Sequence, residues 1–223
     1  MNSRCVIVLG IPRSGTSLVA GILHTLGVDM DEGYLQPADA NNKYGYFESL
    51  RWQALHKRIT GIRYGTSQPN DIGGEQRLAY KELADECQRK PLWGMKCPRL
   101  CFTLHWITPY LSDARLVIVR RDFEASVASL VKHSIVSYGG ALRMDPPQAR
   151  AILSTWREAM ERQIAVFDGP KMEIGYRPLL KEPMAWVRAI NAFARENTAA
   201  VPASDKQINR AAQFCKMDMN HNG

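Results

Sequence analysis

Gly10, Gly15, Thr16 and Ser17 stand in the spacing Gly-x4-Gly-Thr-Ser, within the run GIPRSGTS at positions 10–17. That is the spacing of a loop that wraps a phosphate in backbone amides. The apolar run Cys5-Val6-Ile7-Val8-Leu9 precedes it and a helical pattern follows from Leu18, so the loop joins a buried strand to a helix start. Such a turn aims N–H groups and the positive end of a helix dipole at an anion. A nucleoside triphosphatase has a lysine after the second glycine, reaching the β- and γ-phosphates. Here that position is Thr16, and the nearby cation is Arg13 instead. The chemistry expected is recognition of a phosphate-like group without ordinary ATP hydrolysis.

The elements that must carry this loop alternate along the chain. Residues 4–9, 92–96, 115–120 and 171–174 read as strands, the third continuous and β-branched as buried parallel strands are. Helices are expected from the loop to about residue 26 and over 47–58, 75–89, 100–111 and 183–196. Two more start at Asp122, with Val127, Leu130 and Val131 on one face, and at Asp145-Pro146-Pro147, with Ile152, Trp156, Met160 and Ile164 at helical spacing. Alternation of this kind predicts an α/β fold, a central parallel sheet flanked by helices, with ligands beyond the carboxyl ends of the strands. One domain over residues 1–223 is expected, with 199–223 a loosely ordered tail.

The 45% hydrophobic and 23% charged composition is that of a globular protein, and no apolar run approaches the ~18 residues that span a bilayer. Met1-Asn2-Ser3-Arg4 leads straight into the first strand, so neither a signal peptide nor a membrane association is expected, and the expected location is cytoplasmic. The five cysteines are an odd number without a CxxC pair, which argues against a metal site or a disulfide framework. The net charge of +7 is dispersed, with no run of five basic residues. It fits an anionic cofactor, or an anionic cofactor and acceptor together, and no nucleic-acid partner is expected.

Pro12-Arg13-Ser14-Gly15-Thr16-Ser17 resembles the 5′-phosphosulfate loop of sulfotransferases that use 3′-phosphoadenosine-5′-phosphosulfate (PAPS). The stretch 119–130, VRRDFEASVASL, resembles that family's 3′-phosphate motif, an arginine at a strand end and a serine eight residues on. Arg121 and Ser129 have that spacing, whereas Arg120 does not. A continuous helix would separate the two by ~12 Å along its axis, so Arg121 must sit in the turn and fold back. Softer resemblances to bacterial-type members cover NKYGYFE at 42–48, WGMKCPR at 93–99, with Cys97 for the usual aspartate, and IGYRPLL at 174–180, with Arg177 where an acid is common. Pro98 stands where cytosolic aryl and steroid enzymes have a histidine, and their late Arg-Lys-Gly segment is absent, so the chain does not resemble that branch.

The resemblance implies the three-layer P-loop fold and transfer of a sulfuryl group from PAPS, leaving adenosine 3′,5′-bisphosphate, with no metal required. It implies that Arg13, Ser14, Gly15, Thr16 and Ser17 hold the 5′-phosphosulfate and that Arg121 and Ser129 hold the 3′-phosphate. Arg13 and Lys96 would neutralise the leaving oxygen, although Lys96 also reads as a solvated strand-end lysine. Glu48 is the candidate general base, with Asp39 as a second; Glu48 reads equally as an acid in a first helical turn. The acceptor implied is a small molecule or carbohydrate offering a hydroxyl (or amine), held by loops near 29–46, 61–74 and 138–146. A nucleotide kinase-like enzyme and a non-catalytic nucleotide-binding module are the alternatives, and Thr16 speaks against the first. No histidine shares a motif, and none is assigned a role.

Overall fold

The computed structural model describes residues 3–39, 42–61, 71–137 and 144–222, so most of the expected acceptor loops 61–74 and 138–146 lies outside the described residues. Four strands, β1 (Arg4–Leu9), β2 (Leu92–Lys96), β3 (Ala114–Arg120) and β4 (Lys171–Gly175), form one parallel sheet in the order β2-β1-β3-β4. Every residue of β1 and β2 is buried, because helices cover both faces. Ile7, Leu9, Met95, Leu116 and Ile118 point into one layer. It contains α2 (Leu50–Thr60), α3 (Gly74–Cys87), α4 (Leu100–Ile107), α5 (Phe123–Ser137) and α6 (Pro146–Val166). Val6, Val8, Val117, Val119 and Ile174 point into the other, with α1 (Thr16–Thr25), α7 (Tyr176–Lys181), α8 (Pro183–Arg195) and α9 (Asp205–Asn222). This is the three-layer α/β arrangement expected from the alternating pattern.

The helix starts follow their caps. Asp122 Oδ1 accepts from the Ala125 N–H at 2.8 Å, and Asp145 and Gln148 form a reciprocal capping box before Pro146. α2 begins at Leu50 rather than at 47, because Phe47 is left-handed (φ 52°) and Ser49 is the N-cap, its Oγ accepting from Arg51 N–H at 3.2 Å. α4 stops at Ile107, and a 3-10 turn over Thr108–Tyr110 takes up the expected remainder around Pro109.

The largest departure from the sequence expectation is at the C-terminus. Instead of a loose tail, α9 runs over Asp205–Asn222 and packs on α1, with Ala211, Ala212 and Cys215 buried. The helix that follows the anion loop is therefore sandwiched between the sheet and the last helix of the chain.

Candidate active site

The loop after β1 is shaped by two close approaches. A Cβ on Gly10 would lie 2.6 Å from Ser14 Oγ and 3.0 Å from the Val119 carbonyl, so the loop folds over the end of β3. Gly15, the N-cap of α1, has φ +98°, and a Cβ there would meet the Tyr176 ring at 2.4 Å. Both positions require glycine, one for room and the other for room and conformation. The first turn of α1 carries no acidic residue, so nothing of its own compensates the helix dipole. The amides of Thr16 and Ser17 open that turn and have no carbonyl one turn earlier to bond. Ser14 turns inward: its N–H donates to the Ile11 carbonyl at 3.2 Å and its hydroxyl is buried without a hydrogen bond.

Arg13 is the joint of the site. It adopts φ +70°, a conformation that costs a non-glycine residue about 1–2 kcal/mol. Two bonds from another part of the chain hold it. Its Nε donates to Ser129 Oγ at 3.1 Å, and Arg121 Nη1 donates to its carbonyl at 3.2 Å. Arg121 sits in the turn between β3 and α5 and folds back, its guanidinium 4.5 Å from the centre of the Tyr176 ring. The structure thus brings the two halves of the expected signature together through one residue. Neighbouring Arg120 points elsewhere, into ion pairs with Glu161 and Glu173.

A cleft of about 700 Å³ opens at the carboxyl ends of the strands, and Arg13, Thr16, Ser17, Glu48, Lys96 and Asp39 all line it. Arg121 and Ser129 lie outside its lining, behind Arg13. Lys96 ends β2 opposite Val8, beside the start of the loop, and its ammonium donates to Glu48 Oε1. That side chain is only 2% exposed, so Lys96 is a buried, paired cation and not a solvated one. Glu48 precedes the N-cap Ser49 and is no first-turn acid; its carbonyl accepts from the Gln36 N–H at 2.8 Å, which pins the backbone. Asp39 accepts from the Tyr46 hydroxyl at 2.9 Å. Burial, and then that bond, push the Tyr46 phenol well above its usual pKa, so Tyr46 remains a protonated donor.

Lys57, Arg99, His133 and Trp156 are among the lining residues given no role in the sequence analysis. Lys57 comes from the last turn of α2, Arg99 from the N-cap of α4, His133 from α5 and Trp156 from α6. His133 lies four residues after Ser129 on one helix, and that spacing was the signal available for it. Trp156 read as core by its helical spacing, and it does pack edge-on against Phe102 while lining the cleft. Among the described residues no group of three histidine, cysteine or acidic side chains is placed to hold a metal, and no helix is long and apolar enough to cross a membrane.

The fold is shared with solved structures. The chain is similar to the sulfotransferase STF1 from Mycobacterium tuberculosis, with 17% identity and a TM-score of 0.55 over 96% of this chain and 71% of that one. It is similar to the sulfotransferase domain of the curacin biosynthetic pathway, with 14% identity and a TM-score of 0.56 over 93% and 77%. STF9 from Mycobacterium avium gives 16% and 0.54 over 97% and 69%. At these identities the likeness establishes the fold. No curated protein sequence matches the chain. The sequence profile of the sulfotransferase family, however, matches residues 5–199, which contain the anion loop, the Arg121 turn and the buried Lys96–Glu48 pair; the chain belongs to the sulfotransferase family.

Proposed function

We propose that the protein transfers the sulfuryl group of PAPS to a hydroxyl (or amine) of a small molecule or carbohydrate. The observation that carries the reading is the linkage Arg121–Arg13–Ser129, in which the motif expected for a 3′-phosphate braces the loop expected for a 5′-phosphosulfate. The residues fit such a donor. Gly10 and Gly15 clear the loop of side chains, the first-turn amides of α1 face no acid, and Arg13 and Lys96 bring positive charge to the cleft.

The donor supplies an activated sulfuryl group on a phosphate leaving oxygen. Arg13 and the Thr16 and Ser17 amides and hydroxyls hold the phosphosulfate end, while Arg121 and Ser129 hold the 3′-phosphate. Lys96 stabilises negative charge on the leaving oxygen, from a position that its bond to Glu48 fixes beforehand. Glu48 keeps Oε2 for the acceptor hydroxyl and withdraws its proton as the new S–O bond forms. Asp39, already bonded to Tyr46, orients rather than deprotonates.

Thermal unfolding with adenosine 3′,5′-bisphosphate, 5′-AMP or ATP with magnesium tests this. A ligand at 100 times its Kd adds ~2.7 kcal/mol, a rise of roughly 5–10 °C at this chain length. The expected result is a rise confined to the 3′-phosphorylated nucleotide and lost in Arg121→Ala. A rise with ATP and magnesium instead would overturn the reading in favour of a nucleoside triphosphate.

A further inference from the structure

Arg99 is the exception among the arginines that are at least partly buried. Among the described residues, every other arginine that is at least partly buried rests on a carboxylate, a hydroxyl, a carbonyl or an aromatic ring. The Arg99 guanidinium lines the cleft and has no such partner among them. A guanidinium that is partly covered and has no acceptor of its own is free to take an anion, and this one stands at the cleft.

Its surroundings do not offset the charge. Four cationic side chains (Arg13, Lys57, Lys96, Arg99) and two carboxylates (Asp39, Glu48) line the cleft. Lys96 and Glu48 satisfy each other, and Asp39 is bonded to Tyr46. With Arg13 placed at the phosphate loop, Lys57 and Arg99 are left over. They come from a different part of the site, the end of α2 and the start of α4. A contact between those helices, His56 Nδ1 to Thr103 Oγ1 at 3.0 Å, holds the two ends together. His56 is itself kept neutral, its pKa pushed down to about 3 by burial and then by the charge of Arg99, so it supplies no further cation.

We propose that Arg99 and Lys57 form an anion-binding subsite for the acceptor, which is therefore a hydroxyl compound that bears an oxyanion group of its own, a carboxylate or a sulfonate-like group. The forked guanidinium suits such a group, and exposed Lys57 adds a second charge to the lining. This inference rests on the donor reading above, because it gives the loop and Arg13 to PAPS and, among the described residues that line the cleft, leaves these two cations to the acceptor.

Calorimetric titration of the full chain tests it, with the protein saturated in adenosine 3′,5′-bisphosphate so that the loop is filled. The probes are 4-hydroxyphenylacetate and 4-hydroxybenzenesulfonate against neutral 4-hydroxyphenylacetamide, and glucuronate against glucose. The anionic member of at least one set is expected to bind about tenfold more tightly than its neutral counterpart. Preference for the carboxylates or for the sulfonate tells which oxyanion the fork takes. Arg99→Gln and Lys57→Gln should each shrink the preference, Arg99→Lys should restore part of it, and nucleotide affinity should stay within about twofold in all three. Equal binding of anionic and neutral probes, or none by either, overturns the proposal. So does a tenfold loss of nucleotide affinity in Arg99→Gln, which would assign Arg99 to the donor and leave the donor reading intact. Failure of the unsubstituted protein to bind the nucleotide at all would refute the donor reading first, and this subsite with it.

Discussion

Gly15→Ala isolates what the loop demands of its second glycine. Two costs add. An alanine held at φ +98° loses about 1–2 kcal/mol to left-handed backbone strain. Its methyl would also lie 2.4 Å from a carbon of Tyr176, a ring only 5% exposed and with little room to retreat. Overpacking of that kind costs about 1–3 kcal/mol. The sum, about 2–5 kcal/mol, should lower the melting temperature by roughly 5–15 °C for a chain of this size. Displacing the ring also removes the face on which Arg121 stacks, so affinity for adenosine 3′,5′-bisphosphate should fall as well. Thermal unfolding of four proteins (unsubstituted, Gly15→Ala, Tyr176→Ala and the double variant) separates the terms. Without the ring only the strain remains, so Gly15→Ala should cost about 1–2 kcal/mol in the Tyr176→Ala background. Gly33→Ala is the control, since no heavy atom lies within 4 Å of its would-be Cβ, and it should stay within about 0.5 kcal/mol. An equal cost for Gly15→Ala with and without the Tyr176 ring would refute the reasoning.

Two further outcomes are expected. Glu48→Gln should slow sulfuryl transfer by about 10²–10⁴ while adenosine 3′,5′-bisphosphate still binds; a radiolabel assay that finds transfer unchanged removes Glu48 as the base. Folded His56 has a pKa of about 3 against 6.5 when exposed, so the unfolded chain takes up a proton that the folded chain refuses. Its contribution is present above pH 6.5 and is lost as pH falls toward 3, at up to about 1.4 kcal/mol per pH unit. Urea unfolding between pH 6.5 and 4.5 should therefore fall less steeply in His56→Gln than in the unsubstituted protein, and parallel slopes would count against a buried neutral His56.

The strands and the anion loop were legible because their signals are local. A continuous apolar run marks a strand covered on both sides, as β1 and β3 are, and Asp122 and Asp145 announce the helices they cap. α9 was not legible, although Ile208, Ala211, Ala212 and Cys215 keep helical spacing. Its buried stripe is mostly alanine and cysteine, small enough to let α1 approach and too weakly apolar to stand out from a polar segment. α7 is six residues long with Pro178 inside it, so no periodicity had room to develop, yet it supplies Tyr176. The joint use of Arg121 and Ser129 was read from a motif, because the motif carries its own spacing, whereas their contacts with Arg13 come from the fold alone. Arg99 and Lys57 share no spacing, and only the packing of α2 on α4 brings them to one cleft.

The same distinction holds for the conformations that the site requires. Among the described residues, Arg13, Asp31, Phe47 and Asn197 are the non-glycine residues at positive φ, and two of them flank the chemistry. Strain of this kind persists only where surrounding structure over-determines it. Arg13 is held by Arg121 and Ser129, more than a hundred positions away. Phe47, immediately before Glu48, is held by His24 of α1 and Phe214 of α9, with ring centroids at 5.5 and 6.0 Å. A Cβ on Gly21 would lie 2.6 Å from Phe214 and 2.8 Å from Phe47, so the bare backbone of α1 is what admits both rings. Phe214 lies beyond the residues matched to the family, yet it fixes the turn that delivers Glu48 to Lys96. The position of the acid is therefore not a property of the loop that contains it. It is set by the anion-loop helix on one side and the last helix on the other, which together hold the turn that brings Glu48 to Lys96.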